Sequence, residues 1–228
     1  MIEAQVHRSV PIPRRVIAAL AIGFPALYMA NSFTPWSVGL FVHHHRSAYV
    51  PFWTSVLVLH WATVLVCVAL MRHYGWRAAD VRLALSRGRM VRGLLVLLGA
   101  GLVLGQVARF VDVPSFFLTD LTRHWQMYPS TTFEYLFWPF VAVTAGVCEE
   151  FVYRGFLATA IERRGVKART ALVLASIVWI GLHGLAGIFF FPVYLVVGLI
   201  LTAVVLRRGR LGDSIVFHAV MDALVAFR

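Results

Sequence analysis

Charged side chains are what this chain has least of: they make up 14% of its 228 residues against 60% hydrophobic ones, with a mean hydropathy of +0.79. A soluble domain cannot hide that much apolar surface. The composition excludes an ordinary globular protein and points to a polytopic membrane protein. Lysine is nearly absent, Lys167 being the single one beside twenty arginines, a bias that suggests a GC-rich bacterial source and hence a bacterial cytoplasmic membrane. Cysteine is scarce too. Cys67 and Cys148 both fall inside apolar segments, which argues against a structural disulfide and leaves the compartment unread. No small-residue cleavage site follows the first apolar run, so that run is expected to be retained. An internal repeat and a low-complexity linker are also missing, and the simplest organisation is one integral membrane domain over 1–228. Acids number ten against twenty-one basic residues, a net charge of +11. The basic residues lie in short loops between apolar runs, where anionic headgroups are their usual neighbours, so nucleic acid is not an expected partner and the lipid bilayer is.

What the chain does have is a series of apolar runs near the length of a membrane crossing, at 16–33, 49–71, 90–111, 133–158, 171–190, 192–206 and 214–227. The expected fold is all-α, a multi-pass transmembrane helix bundle of about seven spans with the active site inside the bundle. Arginine placement sets the orientation. With a cytosolic amino terminus, the inside segments collect Arg8, Arg14 and Arg15, then six arginines between 72 and 92, then Arg163, Arg164, Lys167 and Arg169, then Arg207, Arg208 and Arg210. Only Arg46, Arg109, Arg123 and Arg228 fall outside, sixteen against four, which predicts an amino-in, carboxyl-out topology. Gly101 and Gly105 form a small-xxx-small pair suited to close helix packing.

Ionisable groups inside such runs require a functional reason, because an unpaired intramembrane carboxylate costs roughly 2.5 to well over 10 kcal/mol. Glu149 and Glu150 sit side by side after the apolar stretch 135–148 and are followed by Arg154. On a helix, residues four apart share a face and adjacent ones diverge by about 100°, so Glu150 can pair with Arg154 while Glu149 points elsewhere. Two later runs each carry a histidine: His183, four residues after Trp179, and His218, four residues before Asp222. An acid, two histidines and a second carboxylate on three spans suit hydrolysis by activated water, with a glutamate as general base and other groups holding the water and the oxyanion. The same Glu, His, His and Asp are also plausible zinc ligands, and zinc stays open, although the His-Glu-x-x-His helix that would make it the first choice is absent.

Taken in order, Glu149-Glu150-x-x-x-Arg154 with Phe151-x-Tyr-Arg-Gly-Phe156, aromatic-x-x-x-His at Trp179 to His183, and His-x-x-x-Asp at His218 to Asp222 resemble the three motifs of the CAAX protease and bacteriocin-processing family, the glutamic intramembrane endopeptidases. The motif-bearing core is about 133–228. The resemblance implies that Glu149 and His183 activate water, that His218 and Asp222 form the oxyanion site, and that Glu150 and Arg154 support Glu149, without a cofactor. Trp179 stands where phenylalanine is usual and is read as packing. Asp222 stands where asparagine is frequent, and an ionised carboxylate cannot donate to an oxyanion. Asp222 is then protonated, or orients His218, or belongs to a metal site. The implied partner is a membrane-anchored protein or peptide substrate of a sorting or maturation kind. The alternatives are a metal-dependent membrane protease using the same residues, a non-catalytic membrane binding or immunity protein, and a proton-coupled transporter.

Weaker features are read as structural. His43, His44 and His45 are expected in a solvated loop, and mid-span His60 in a packing role or, alternatively, in a substrate channel. Gly212-Asp213-Ser214 reads as a helix start with Asp213 or Ser214 as N-cap.

Overall fold

A computed structural model describes residues 9–83 and 128–225, and among these the fold is entirely helical. The expected run at 90–111, its Gly101 and Gly105, and Arg8, Arg87, Arg89, Arg92, Arg109, Arg123 and Arg228 lie outside the described residues. Helix α1 spans Arg14–Asn31, α2 Pro35–Phe41 and α3 Tyr49–His73. Helix α4, Thr132–Glu149, continues through a π-helical stretch, Glu150–Leu157, into α5, Ala158–Glu162. Then follow α6 (Ala168–Ile180), α7 (Leu185–Phe189), α8 (Phe191–Arg208) and α9 (Leu211–Val225).

Local chemistry sets several of these boundaries. Thr131 caps α4 by accepting the Glu134 amide at 3.3 Å, while Glu134 accepts the amides of Ser130 and Thr131 and pairs with Arg46. Pro35 opens α2 behind the Thr34 cap. Gly209, with φ at +69°, ends α8 in the left-handed conformation that glycine adopts without penalty.

Three segments, Arg46–His73, Thr132–Glu162 and Phe191–Arg208, are long and apolar enough to cross a membrane, and α1 with α2, bent by 63°, makes a fourth if the pair counts as one span. Large apolar side chains such as Ile22, Leu65 and Leu136 are exposed on the outer faces, while Glu149, Glu150, Arg154, His60 and His218 are buried within. That inversion suits lipid as the surrounding solvent.

Two expectations need correction. The run at 171–190 is not one helix: α6 ends in a single 3-10 turn at Gly181–His183, and Gly184, at φ +57° against Tyr28 and Ser32 at the end of α1, redirects the chain into α7. The glycines beside His183 are therefore used for packing, Gly181 lying against Pro25 so closely that a Cβ would come within 2.7 Å of it. The second correction concerns α9, which begins at Leu211, placing Gly212, Asp213 and Ser214 inside its first turn. The Leu211 amide is satisfied by the Arg82 carbonyl at 3.1 Å. Asp213 pairs with Arg210, and Ser214 donates instead to Glu150.

Helix α4 packs most extensively against α9. Gly146 permits it, since a Cβ there would lie 2.9 Å from the Ala219 amide nitrogen and the Ile215 carbonyl oxygen of α9. The approach brings His218 against the two glutamates.

Candidate active site

The two adjacent glutamates straddle the junction where α4 becomes π-helical, a distortion found frequently at functional sites. Their carboxylates diverge into different surroundings. Glu150 and Arg154 are both fully buried and pair at 3.0 Å. Ser214 of α9 donates to the second Glu150 oxygen, and His218 Nδ1 lies 3.0 Å from the first. The Arg154 guanidinium also stands over the Trp179 ring at 4.5 Å. A buried pair costs its desolvation unless such extra contacts satisfy the remaining lone pairs and protons, and here they largely do.

Glu149 faces the other way. His60 Nε2 of α3 meets its Oε1 at 2.8 Å, and the Trp179 indole N–H of α6 donates to its Oε2 at 2.5 Å. His218 bridges the two carboxylates, its Nε2 lying 3.6 Å from Glu149 Oε2 and 3.5 Å from Asp222 Oδ2. Because Glu150 accepts from Arg154 and Ser214 as an ionised acceptor, the His218 Nδ1 carries the proton of that contact.

His183 stands at the edge of this group. Its Nδ1–H donates to the Ile180 carbonyl at 3.3 Å, and its ring lies against Tyr194 (centroids 3.8 Å apart) and edge-on to Trp179 (4.8 Å). No hydrogen bond or ion pair joins it to Glu149, but both touch Trp179, Glu149 at the indole N–H and His183 at the ring. Exposure grades across the site: the Glu149 and His218 side chains are 7% and 3% exposed and that of Asp222 is 29%. The accessible side is therefore formed by Asp222 and half-buried His183, with Glu149 behind them. Asp222 is anchored through its backbone, whose carbonyl accepts from the Trp138 indole at 2.9 Å.

The arrangement corrects two readings. Trp179 is more than packing, because its N–H contacts Glu149, a bond that phenylalanine could not make. Mid-span His60 is a direct neighbour of Glu149 and not a packing residue. An ionisable side chain inside an apolar run is the one signal that marks His60; no motif spacing ties it to the later segments. His43, His44 and His45 are exposed, and Cys148 is a free, buried thiol. Among the described residues no group of three His, Cys, Asp or Glu side chains is arranged to hold a metal ion. An apolar groove of about 620 Å³ runs beside the turn at Gly181 and Gly184, between Pro25, Met29 and Phe191, and none of the polar residues above lines it.

Residues 131–224 match the family model described as Rce1-like, Type II CAAX prenyl endopeptidase Rce1-like, a segment that includes both glutamates, both later histidines and Asp222. No curated protein and no solved structure matches the chain. The matched segment stops short of α1 and α3, so His60 lies outside it. The chain's apolar helices are those of an integral membrane protein, and its segment 131–224 is similar to the CAAX protease (CPBP) family of peptide hydrolases.

Proposed function

We propose that the protein is a glutamic-type intramembrane endopeptidase that hydrolyses a peptide bond in a membrane-anchored protein or peptide, with Glu149 as general base and no cofactor. One observation carries the reading: a buried carboxylate, Glu149, faces two histidines and an indole N–H inside the bundle, with His183 and Asp222 on the accessible side. Water bound between Glu149 and His183 gives a proton to Glu149 as its oxygen attacks the scissile carbonyl carbon. His183 has its Nδ1–H committed to Ile180, which leaves Nε2 as an acceptor for the water's other hydrogen.

The carbonyl oxygen then carries negative charge and requires donors. His218 already gives its Nδ1–H to Glu150, so a second donor, Nε2–H, exists only when the ring is doubly protonated. The carboxylates of Glu149 and Glu150 beside that ring suit the charged form. Asp222, as the acid, supplies another donor beside it. Glu149, now protonated, returns its proton to the leaving nitrogen as the C–N bond breaks. Glu150 and Arg154 hold His218 in place and keep the second carboxylate out of the reaction.

The family description names a CAAX prenyl endopeptidase. An arginine-rich, nearly lysine-free composition suits a bacterial protein, and there the substrate is an unprenylated membrane-anchored peptide of a sorting or maturation kind. Arginine asymmetry supports an amino-terminus-in, carboxyl-terminus-out orientation in the cytoplasmic membrane. The test offers purified protein in proteoliposomes two internally quenched peptides, an unprenylated single-span peptide and a farnesylated CAAX tail. Cleavage of the single-span peptide by wild type and not by Glu149→Gln is the expected result. Equal cleavage by the variant, or no cleavage of either peptide by wild type, overturns the reading. Preference for the farnesylated tail keeps the chemistry and changes the substrate class.

A further inference from the structure

Glu149 draws neighbours from beyond the segment that carries the family motifs. His60 lies on α3, is 2% exposed, and reaches Glu149 Oε1 through Nε2 at 2.8 Å. Its other nitrogen, Nδ1, lies 2.8 Å from the Val56 carbonyl oxygen and 3.1 Å from the hydroxyl of buried Tyr28 on α1. Nδ1 donates to that carbonyl or accepts from the Tyr28 hydroxyl, according to the tautomer, and either contact holds the ring. The 2.8 Å contact then holds one proton between Nε2 and the carboxylate, since two bare lone pairs would repel. With Glu149 ionised, as a base must be, that proton is on His60.

The other carboxylate oxygen is also fixed. Trp179 donates to Oε2, and its buried ring is held face-on by Arg154 at 4.5 Å and edge-on by His183 and His218. A glutamate side chain has three rotatable bonds, and its orientation is free unless both oxygens are engaged. Each oxygen retains a further lone-pair site after one such bond, so fixing the carboxylate does not consume its capacity to take a proton.

We infer that His60 and Trp179 are positioning residues, a two-point clamp that fixes the Glu149 carboxylate for attack by water, with Tyr28 and the Val56 carbonyl holding His60. The clamp rests on Glu149 acting as the base. It makes α3 part of the reacting centre. It also gives the tryptophan at 179 a duty that the ring alone would not perform, since orientation of a base within a fraction of an ångström is what a supporting shell supplies.

The test uses full-length protein in proteoliposomes and the unprenylated single-span peptide. His60→Leu should lower kcat on the order of tenfold or more, the equivalent of one lost hydrogen bond to a charged group, with KM unchanged. His60→Gln keeps an N–H donor at the Nε2 position and should recover most of that loss. Trp179→Phe keeps an aromatic ring without the N–H and should lower kcat by about fivefold or more at unchanged KM. Wild-type kcat in His60→Leu and Trp179→Phe overturns the clamp, as does an equal loss in His60→Leu and His60→Gln accompanied by lowered thermal stability. Glu149→Gln is assayed beside them. If it is inactive while the clamp variants match wild type, only the clamp fails; if it is active, the functional reading fails and the clamp with it. A readout independent of turnover is the Nε2 resonance of His60 in protein with ¹⁵N-labelled histidine, assigned by its loss in His60→Gln. The resonance should move in Glu149→Gln, and one that stays put overturns the contact whatever the substrate.

Discussion

The carboxyl-terminal region and the amino-terminal region treat the two glutamates differently. Glu150 finds Arg154, Ser214 and His218 as partners, all within residues 131–224. Its charge is balanced without any help from the first helices. Glu149 shares His218 and Trp179 with that region but takes its closest histidine from α3. One acid thus belongs to a self-contained buried cluster, and its neighbour to a joint between the two regions. Elsewhere the regions meet through apolar packing, as of Gly181 on Pro25, and through ion pairs of Arg46 with Glu134, Asp80 with Arg163 and Arg82 with Glu162. The amino-terminal region therefore supplies both a direct neighbour of Glu149 and attachment, at separate places.

The sharpest way to break this contrast is to neutralise each acid in turn. Glu149→Gln should reduce kcat by about 10²–10⁴-fold, the range for a lost general base, while the protein still inserts and unfolds at nearly the wild-type temperature. Turnover of the membrane peptide and a thermal melt in detergent give both quantities. Equal kinetic losses in Glu149→Gln and Glu150→Gln, neither with a change in stability, would erase the distinction between the acids.

Arg154→Ala should show the reverse balance. It strands Glu150 in a fully buried position, and breaking a buried pair costs about 3–5 kcal/mol. A large drop in melting temperature is expected, with the loss of activity following the loss of folded protein. Full stability in this variant would mean that Ser214 and His218 alone carry the Glu150 charge.

Legibility in the sequence follows the same regional divide. Glu149, Glu150, Arg154, His183, His218 and Asp222 stand out because each is an ionisable residue in an apolar run, and i, i+4 geometry by itself relates Glu150 to Arg154 and His218 to Asp222. His60 and Tyr28 form no such local pattern. Their contact with Glu149 depends on how α1 and α3 dock against α4, which is tertiary information that spacing does not encode. The π-helical junction is similarly hidden, since apolar periodicity over 133–158 fits an uninterrupted α-helix. The break after α6 is hidden for another reason. Spacing gives no sign that Gly184 must turn the chain at positive φ beside half-buried His183. Composition, in contrast, suffices for the all-helical membrane fold.

Asp222→Asn tests the accessible edge of the site, where a smaller effect is expected. If Asp222 donates to the oxyanion in its protonated form, the amide preserves a donor and activity should stay within a few-fold of wild type, flattening the alkaline limb of the pH–rate profile. If the ionised carboxylate instead orients His218 across the 3.5 Å separation, the substitution should cost at least about tenfold, or ~1.4 kcal/mol of transition-state stabilisation. We expect the first result. A large loss at every pH would remove the donor role.

The smallest effect belongs to the attachment points between the regions. Arg163 pairs with Asp80 at 2.7 Å, with side chains 24% and 27% exposed, and also donates to Ser9 and covers the Trp76 ring. Water and lipid headgroups compete for such a pair, which limits its contribution to about 0–1 kcal/mol. Asp80→Asn keeps the packing of Trp76 and removes only the charge, so it isolates the ion pair from the ring contact. Its melting temperature should fall by a few degrees at most, the decrease should shrink with added salt, and kcat should match wild type because no reacting group touches Asp80. A salt-independent loss of activity in Asp80→Asn would mean that the peripheral joint and the His60 joint are coupled, and that the amino-terminal region bears on Glu149 as one unit rather than through α3 alone.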